Sequence, residues 1–200
     1  MNARIAVLAV VAVVAAGCVP TYTLVGPGTV RVGSLAVDAG GEWNHAAAGL
    51  TNGLRKGSEM WTRDGPLLDR LLLIPSVPDG APLLVDRSKQ AALPVFRSAM
   101  LPNELEELVE STLVKYLGEG NAAVDTSNLR PNRFGDHQGV LFDFSAAVSE
   151  RPDFRGLAGA FIAGNALYVV IYMAAEPYYY GKHLADAEAV IRSARIVQAG

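Results

Sequence analysis

The sequence predicts a single α+β domain in which two principal helices pack on a mainly antiparallel sheet. Three observations support this prediction. Short apolar runs, several of them alternating, recur along the chain; two longer segments carry apolar residues at the helical period; and the two-residue turn Gly164-Asn165 joins two apolar runs as in a β-hairpin. Hydrophobic residues make up 50 % of the chain, which supports a packed core and not a disordered segment.

The first residues have the organisation of a secretory signal peptide. Arg4 supplies a positive charge, residues 5–16 are apolar, and small residues precede Cys18. As a helix, the apolar run would span about 18 Å, which is too short for a bilayer core about 30 Å thick. Residues 1–17 are therefore predicted to be a signal peptide and not a membrane-spanning helix.

The cysteine that follows this leader indicates which kind of signal it is. Cys18 is the only cysteine in the chain, so no intramolecular disulfide can form. The segment Ala15-Ala16-Gly17-Cys18 resembles the lipobox of bacterial lipoproteins, with Ala15 standing where leucine is commoner. The resemblance implies that Cys18 is lipidated and becomes the mature N-terminus. An ordinary signal peptide cut near Ala16 is the alternative.

A lipidated Cys18 implies a location. Two or three acyl chains anchor a protein stably in a membrane, so the resemblance implies a lipid-anchored, periplasm-facing protein of the bacterial cell envelope. Val19 follows the cysteine where Asp could stand, and by resemblance to enterobacterial lipoproteins this favours the outer membrane over the inner one. We expect residues 18–28 to form an acylated tether and residues 29–200 to form one globular domain.

The first half of that domain is predicted to consist of strands. Alternating or apolar runs bounded by turn residues indicate strands over 29–37, 42–47, 59–63 and 67–74, with shorter candidates at 83–85 and 94–97. Pro75 is expected to end the fourth of these, and 75–82 to be a loop. Trp43 and Trp61 fit the apolar faces of their strands and are expected in the core.

The clearest helix runs from Pro102 to Leu117. Leucines and other apolar residues recur on one face at the helical period, and glutamates concentrate near the N-terminus. Asn103 is the expected N-cap, with Glu106 three residues later as in a capping box. Gly118 is expected to end the helix.

The second half predicts a strand over 122–129, a loop over 130–135, a strand over 140–148, the hairpin 157–163 and 166–174, a helix over 179–193, and a closing edge strand over 195–197. The stretch from Tyr168 to Met173 is apolar on both alternations. It should therefore be a central strand that is covered on both faces.

This order of elements resembles a known fold family. From about Leu93 to Val197, and including the closing segment Ile191 to Ile196, the order is similar to that of the PsbP-like α/β/α sandwich. That family includes the photosystem II extrinsic subunit and bacterial DcrB-type lipoproteins. The resemblance implies accessory and scaffolding roles and not catalysis.

Several function classes are disfavoured by composition and motifs. A formal net charge of −3 is not the basic footprint that nucleic-acid binding requires. The sequence contains no nucleophile elbow, phosphate-binding loop or zinc-protease motif. His45, His137 and His183 lie far apart, and Asp186 is the expected surface partner of His183. We therefore expect no catalytic residue, no metal and no cofactor.

Two surfaces are candidates for binding. Tyr178, Tyr179 and Tyr180 lie with His183 where the central strand gives way to a helix, and aromatic residues there could line a ligand groove or a partner contact. The alternative is that the three rings cap the core. Arg130 and Arg133 form the second candidate, because arginine binds carboxylate and phosphate in a bidentate manner. Ordinary ion pairing with the equally numerous acidic residues is the alternative there.

The sequence thus favours a membrane-anchored envelope lipoprotein that binds another envelope protein as a non-catalytic accessory or assembly factor. A periplasmic module for a small molecule or lipid is the alternative, and a hydrolase built on an unrecognised arrangement is the third hypothesis. The oligomeric state is not predicted.

Overall fold

The computed structural model describes residues 21–51, 53–85 and 92–197. The predicted signal peptide and Cys18 lie outside the described residues. In chain order the elements are β1 (Tyr22–Val25), β2 (Thr29–Val32), β3 (Leu35–Asp38), β4 (Trp43–Ala46), a 3₁₀ turn (Ala48–Leu50), β5 (Glu59–Thr62), β6 (Asp69–Pro78), α1 (Pro102–Leu117), β7 (Ala122–Phe134), β8 (His137–Val148), β9 (Phe154–Ala163), β10 (Ala166–Ala175), α2 (Tyr179–Arg192) and β11 (Arg195–Ile196).

A long antiparallel sheet forms the middle of the molecule. Its strand order is β1-β4-β5-β6-β10-β9-β8-β7, and each neighbouring pair runs antiparallel. β10 is buried from Leu167 to Ala175 because its residues are apolar on both alternations. The prediction of a central, doubly covered strand is confirmed.

Each face of this sheet carries its own apolar core. α1 packs on one face, where Leu108 and Leu113 meet alternate residues of the sheet strands. On the other face lie α2 and a small sheet of order β11-β3-β2, with Trp43 and Trp61 fully buried beneath them. The predicted fold class, two principal helices on a mainly antiparallel sheet, is confirmed, as is the core position of both tryptophans.

Glycines in β9 permit this close packing. Gly156 lies under the ring of Phe144, and Gly159 lies against Ile191 of α2 and the ring of Phe134. Because neither glycine has a side chain, aromatic and helical side chains reach the β9 backbone from both faces.

Two strands differ from the sequence prediction near proline residues. β6 continues through Pro75 to Pro78, because a bulge absorbs the proline: its pairing with β10 shifts register between Leu167 and Val169, and Ser76 takes a φ of +46°. Residues 22–25, expected in the tether, form β1 and pair with β4 at the edge of the sheet.

The predicted loop at residues 130–135 is also wrong, since β7 runs unbroken to Phe134. A register shift between Ser127 and Arg130, with Asn128 at a φ of +56°, bends the strand without ending it. Pro131 is tolerated there because β7 is an edge strand, so one side of its backbone needs no partner.

The helices match their predicted positions, with one difference at a cap. α1 spans the predicted residues, but its N-cap is Leu101 and not Asn103. Pro102 occupies the first helical position, and Glu104 accepts a hydrogen bond of 2.6 Å from the Leu101 backbone N–H. The closing strand β11 pairs with β3 in the small sheet.

We expect Gly156→Ala to lower the free energy of unfolding by about 3 kcal/mol. A Cβ at this position would lie 2.0 Å from Cζ of Phe144 and 2.6 Å from the Tyr172 carbonyl oxygen. Gly181→Ala is the matched control, because a Cβ there meets nothing within 4 Å on an exposed helix position; it should stabilise by about 0.5–1 kcal/mol. Denaturant unfolding measures both, and equal midpoints for Gly156→Ala and the native protein would contradict the packing described.

Candidate functional site

A buried carboxylate shapes the turn between β5 and β6. Asp69 is fully buried and accepts three hydrogen bonds: from the hydroxyl of Thr62 at 2.8 Å, from the backbone N–H of Arg63 at 2.9 Å and from the backbone N–H of Asp64 at 2.7 Å. The Thr62 hydroxyl in turn accepts the backbone N–H of Gly65. These hydrogen bonds to the buried carboxylate fix the conformation of the turn, so the side chains of Arg63 and Asp64 leave it in defined directions.

The side chains of Arg63 and Asp64 hold the start of α2. Asp64 lies 2.6 Å from Nζ of Lys182 and 2.7 Å from Nε2 of His183. Arg63 donates from Nη1 to Nδ1 of His183 at 3.3 Å and to Asp186 at 2.5 Å. These five residues form an ionic clamp between the β5–β6 turn and α2. The expected His183–Asp186 pair is replaced by contacts of both residues with the turn.

The clamp defines the proton positions on His183. An arginine nitrogen can only donate, so in the neutral ring Nδ1 accepts from Arg63 and Nε2 carries the proton that it donates to Asp64. Burial alone would raise the pKa of Asp64, but hydrogen bonds from Lys182 and His183 outweigh it and hold that pKa below its usual value. Both ring nitrogens of His183 therefore have partners in the β5–β6 turn, and the arrangement fastens α2 to that turn.

The three tyrosines divide between core and surface. Tyr180 is buried and stacks on Tyr172 at 5.9 Å, whereas Tyr178 is 64 % exposed. Tyr179 is half-buried and meets Tyr178 edge to face at 5.2 Å. Nζ of Lys182 lies 5.7 Å from the Tyr178 ring centroid. Only part of the predicted aromatic surface is therefore accessible.

The two arginines of the second candidate surface lie on β7 and point to different neighbours. Arg130 forms an ion pair with Asp143 at 3.3 Å, and Arg133 lies 4.0 Å from the exposed Asp136. Both have acidic partners, as the ion-pairing alternative expected. Arg130 lies on the face of the sheet that α2 covers: burial raises the pKa of Tyr180, and the positive charge of Arg130 is among the groups that oppose this rise.

An apolar groove that sequence reasoning missed lies beside β7. Its volume is about 450 Å³. It forms where α1 begins and leaves the ends of β7, β8 and β9 uncovered. The lining residues are Met100, Pro102, Leu105, Leu129, Arg130, Pro131, Gln138, Gly139, Val140 and Ile162. We call this feature the α1 groove.

The walls of the α1 groove are almost entirely apolar. Pro131 pairs with Val140 across the two strands, and both side chains face the groove. Arg130 pairs with Leu141, so its side chain points to the opposite face, where it reaches Asp143. Gln138 is the other polar residue of the lining. Leu129 of the lining is 37 % exposed, and Leu101, which stands in the chain between the lining residues Met100 and Pro102, is 60 % exposed at the rim. The sequence held no signal for the groove, because the exposure of Leu101 and Leu129 depends on what α1 leaves uncovered.

Two features are absent from the part of the chain that the structure describes. Within residues 21–51, 53–85 and 92–197, histidine, cysteine, aspartate and glutamate nowhere gather in a group of three that could hold a metal ion. None of the helices in the same residues is both long and apolar enough to span a bilayer.

Comparisons with known proteins identify the fold. No model of a known protein family and no curated protein sequence matches this chain. The solution structure of cyanobacterial PsbP (CyanoP) from Synechocystis sp. PCC 6803 is similar, with a TM-score of 0.56 and 9 % identity over 91 % of this chain and 96 % of that chain. PA94 from Pseudomonas aeruginosa, of unknown function, gives a TM-score of 0.43 at 10 % identity, covering 90 % of this chain and 99 % of its own. The similarity to CyanoP shows that the chain has the PsbP-like fold, over more of its length than the predicted residues 93–197.

We expect Asp69→Asn to destabilise the protein by about 2–3 kcal/mol. The NH₂ group of the new amide would face at least one of the buried groups that now donate to Asp69, and two donors cannot form a hydrogen bond with each other. The oxygen that accepts from Arg63 or the one that accepts from Thr62 and Asp64 becomes an NH₂ group. Asp125→Asn, at an exposed position of β7, is the control and should change stability by less than about 0.5 kcal/mol. Equal losses in the two variants, measured by denaturant unfolding, would refute the role given to Asp69.

The clamp should make stability depend on acid pH. Because the folded-state pKa of Asp64 is lowered, its carboxylate stabilises the fold above the unfolded value, near 3.9, and this contribution is lost as the pH falls through the folded pKa. The difference in unfolding free energy between the native protein and Asp64→Asn should therefore be constant at neutral pH and shrink below about pH 4. Denaturant unfolding across a pH series tests this, and a difference that grows on acidification would have the wrong sign.

Proposed function

We propose that this chain is a membrane-anchored envelope lipoprotein that acts as a non-catalytic accessory or assembly factor by binding another protein. The observation that carries the proposal is the α1 groove, an apolar surface left open beside α1 on a sheet that carries a buried core on each face. The PsbP-like fold is consistent with this role. The membrane anchor rests on Cys18.

The groove suits apolar side chains presented by a partner protein. Its rim extends outward through the exposed Leu101 and Leu129, so the apolar surface is larger than the hollow alone. Small molecules are usually oriented by several polar groups that converge on them. Here the Arg130 guanidinium is directed to the opposite face, which leaves Gln138 as the main polar side chain. A partner segment with two or three apolar side chains fits these walls better than a polar metabolite does.

Strand addition is not the binding mode we propose. β7 borders the groove as an edge strand, but Pro131 and the bulge at Asn128 interrupt the row of backbone groups that a partner strand would need. The contact would be made by side chains in the groove.

The two alternative functions are a ligand- or lipid-binding module and a hydrolase. The volume of about 450 Å³ falls within the range of small-molecule sites, which favours a ligand- or lipid-binding module as the second candidate. For a hydrolase, the Asp64–His183 pair has the distance of a catalytic dyad. Both ring nitrogens of His183 are already engaged, however, which argues against that use.

A photoactivatable crosslinking residue in place of Leu129 tests the proposal in cells that make the full chain. We expect an adduct of protein size on irradiation, because Leu129 lies at the rim of the α1 groove. The same residue in place of Val85, which is 49 % exposed and does not line the groove, should give none.

A second substitution identifies the surface. Leu101→Asp should abolish the adduct by placing a charge at the groove rim, and aspartate is a favoured N-cap residue, so α1 should still form. Tyr178→Ser should leave the adduct unchanged. Loss of the adduct with Tyr178→Ser but not with Leu101→Asp would transfer binding to the tyrosine surface. A small bound mass in place of a protein adduct would favour the ligand-binding module.

A further inference from the structure

A second hollow lies on the same face of the sheet as α1, near the opposite end of that helix. Its volume is about 260 Å³. Leu50, Met60 and Leu67 provide apolar walls, Tyr116 lies at the end of α1, and Arg70 and Arg151 provide two positive charges. We call this feature the two-arginine hollow.

Neither arginine of the hollow has an acidic partner in the described chain. Six other arginines form ion pairs with carboxylates there: Arg63, Arg130, Arg133, Arg155, Arg192 and Arg195. No described carboxylate lies within 4.0 Å of Arg70 or Arg151. In an acidic domain, two unpaired guanidinium groups in one hollow leave a site of positive charge that an anion can occupy.

Arg70 is held in place by contacts that leave part of its guanidinium available. Its Nε donates to the Pro66 carbonyl oxygen, and its guanidinium lies 5.5 Å from the ring centroid of Tyr116 and 6.0 Å from that of Phe154. An ordered guanidinium loses less entropy on binding an anion than a freely moving one does. Arg151 is exposed and can approach from the side.

The hollow lies close to the point where the chain leads back to Cys18. The backbone N–H of Ala47 donates to the Thr21 carbonyl oxygen at 2.9 Å, and the N–H of Leu50 donates to Ala47 at 2.8 Å. Thr21 is three residues from Cys18, a separation of at most about 11 Å. If Cys18 is acylated, the membrane surface lies near this part of the domain.

Exposed apolar side chains occur in the same region. Leu67 is 70 % exposed and Leu50 36 %, both at the hollow, and Leu24 of β1 is 62 % exposed. Apolar side chains beside basic ones are the composition of surfaces that rest on a bilayer interface.

We propose that the two-arginine hollow binds the phosphate of an anionic phospholipid headgroup and so orients the anchored domain on its membrane. Arg70 and Arg151 contact the phosphate, while Leu50 and Leu67 enter the interfacial layer. This inference goes beyond the proposed function and does not involve the α1 groove, which is formed by the other end of α1. It depends on the anchor at Cys18.

Hydrogen–deuterium exchange of the mature, acylated protein in vesicles tests the inference. On vesicles of mixed phosphatidylcholine and phosphatidylglycerol, we expect the backbone amides of residues 48–51, 65, 67 and 68 to exchange at least about fivefold more slowly than on pure phosphatidylcholine. The protection should disappear in Arg70→Gln/Arg151→Gln. It should persist in the control Arg133→Gln/Arg192→Gln, which removes the same charge at sites where each arginine has an acidic partner.

The remaining outcomes each decide the inference. Arg151→Gln alone leaves the aromatic contacts of Arg70 intact and should remove part of the protection, even if the double variant is unstable. Equal loss in the control pair, or equal protection on both vesicle types, would overturn the headgroup site. Protection on pure phosphatidylcholine after addition of inorganic phosphate would indicate a soluble-anion site instead. A mature protein without acyl mass would also overturn it, whereas the crosslink from residue 129 would be unaffected.

Discussion

The buried carboxylate of Asp69 is the constraint on which the arrangement of the layers depends. A carboxylate without solvent is costly unless donors surround it, and here the donors all come from one short turn. The turn is therefore specified by its own hydrogen bonds. The side chains of Arg63 and Asp64 extend from this turn to α2. The position of α2 therefore depends on the Asp69 carboxylate, which is buried at the β5–β6 turn more than a hundred residues earlier in the chain.

Local patterns were sufficient to predict most of the elements. The helical period located α1 at the residues observed, and the double alternation from Tyr168 to Met173 identified the central strand. Both signals depend only on which residues face a core, and tertiary structure did not alter them. The predictions at Pro75 and Pro131 were wrong because proline was expected to end a strand whatever its neighbours. The bulge at Ser76 lets β6 continue past Pro75, and the edge position of β7 lets that strand contain Pro131.

The sites could not be predicted in the same way. The clamp joins Asp64 to Lys182 and His183 across more than a hundred residues, so sequence spacing pointed to the near neighbour Asp186 instead. The tyrosine triplet looked like one surface, yet the start of a helix turns successive side chains by about 100°, which buries Tyr180 and exposes Tyr178. The α1 groove and the two-arginine hollow are defined by what α1 leaves uncovered at either end. No sequence pattern indicates which part of the sheet a helix will leave uncovered.

The two edges of the long sheet differ in how they meet other molecules. β1 has four residues, and β7 is longer but carries Pro131 and the bulge at Asn128. A sheet of eight strands with regular open edges would be a template for joining copies of itself. A short strand at one side and an irregular one at the other make end-to-end growth of the sheet unfavourable. The edges of the long sheet are therefore poor sites for joining two copies of this domain through backbone hydrogen bonds.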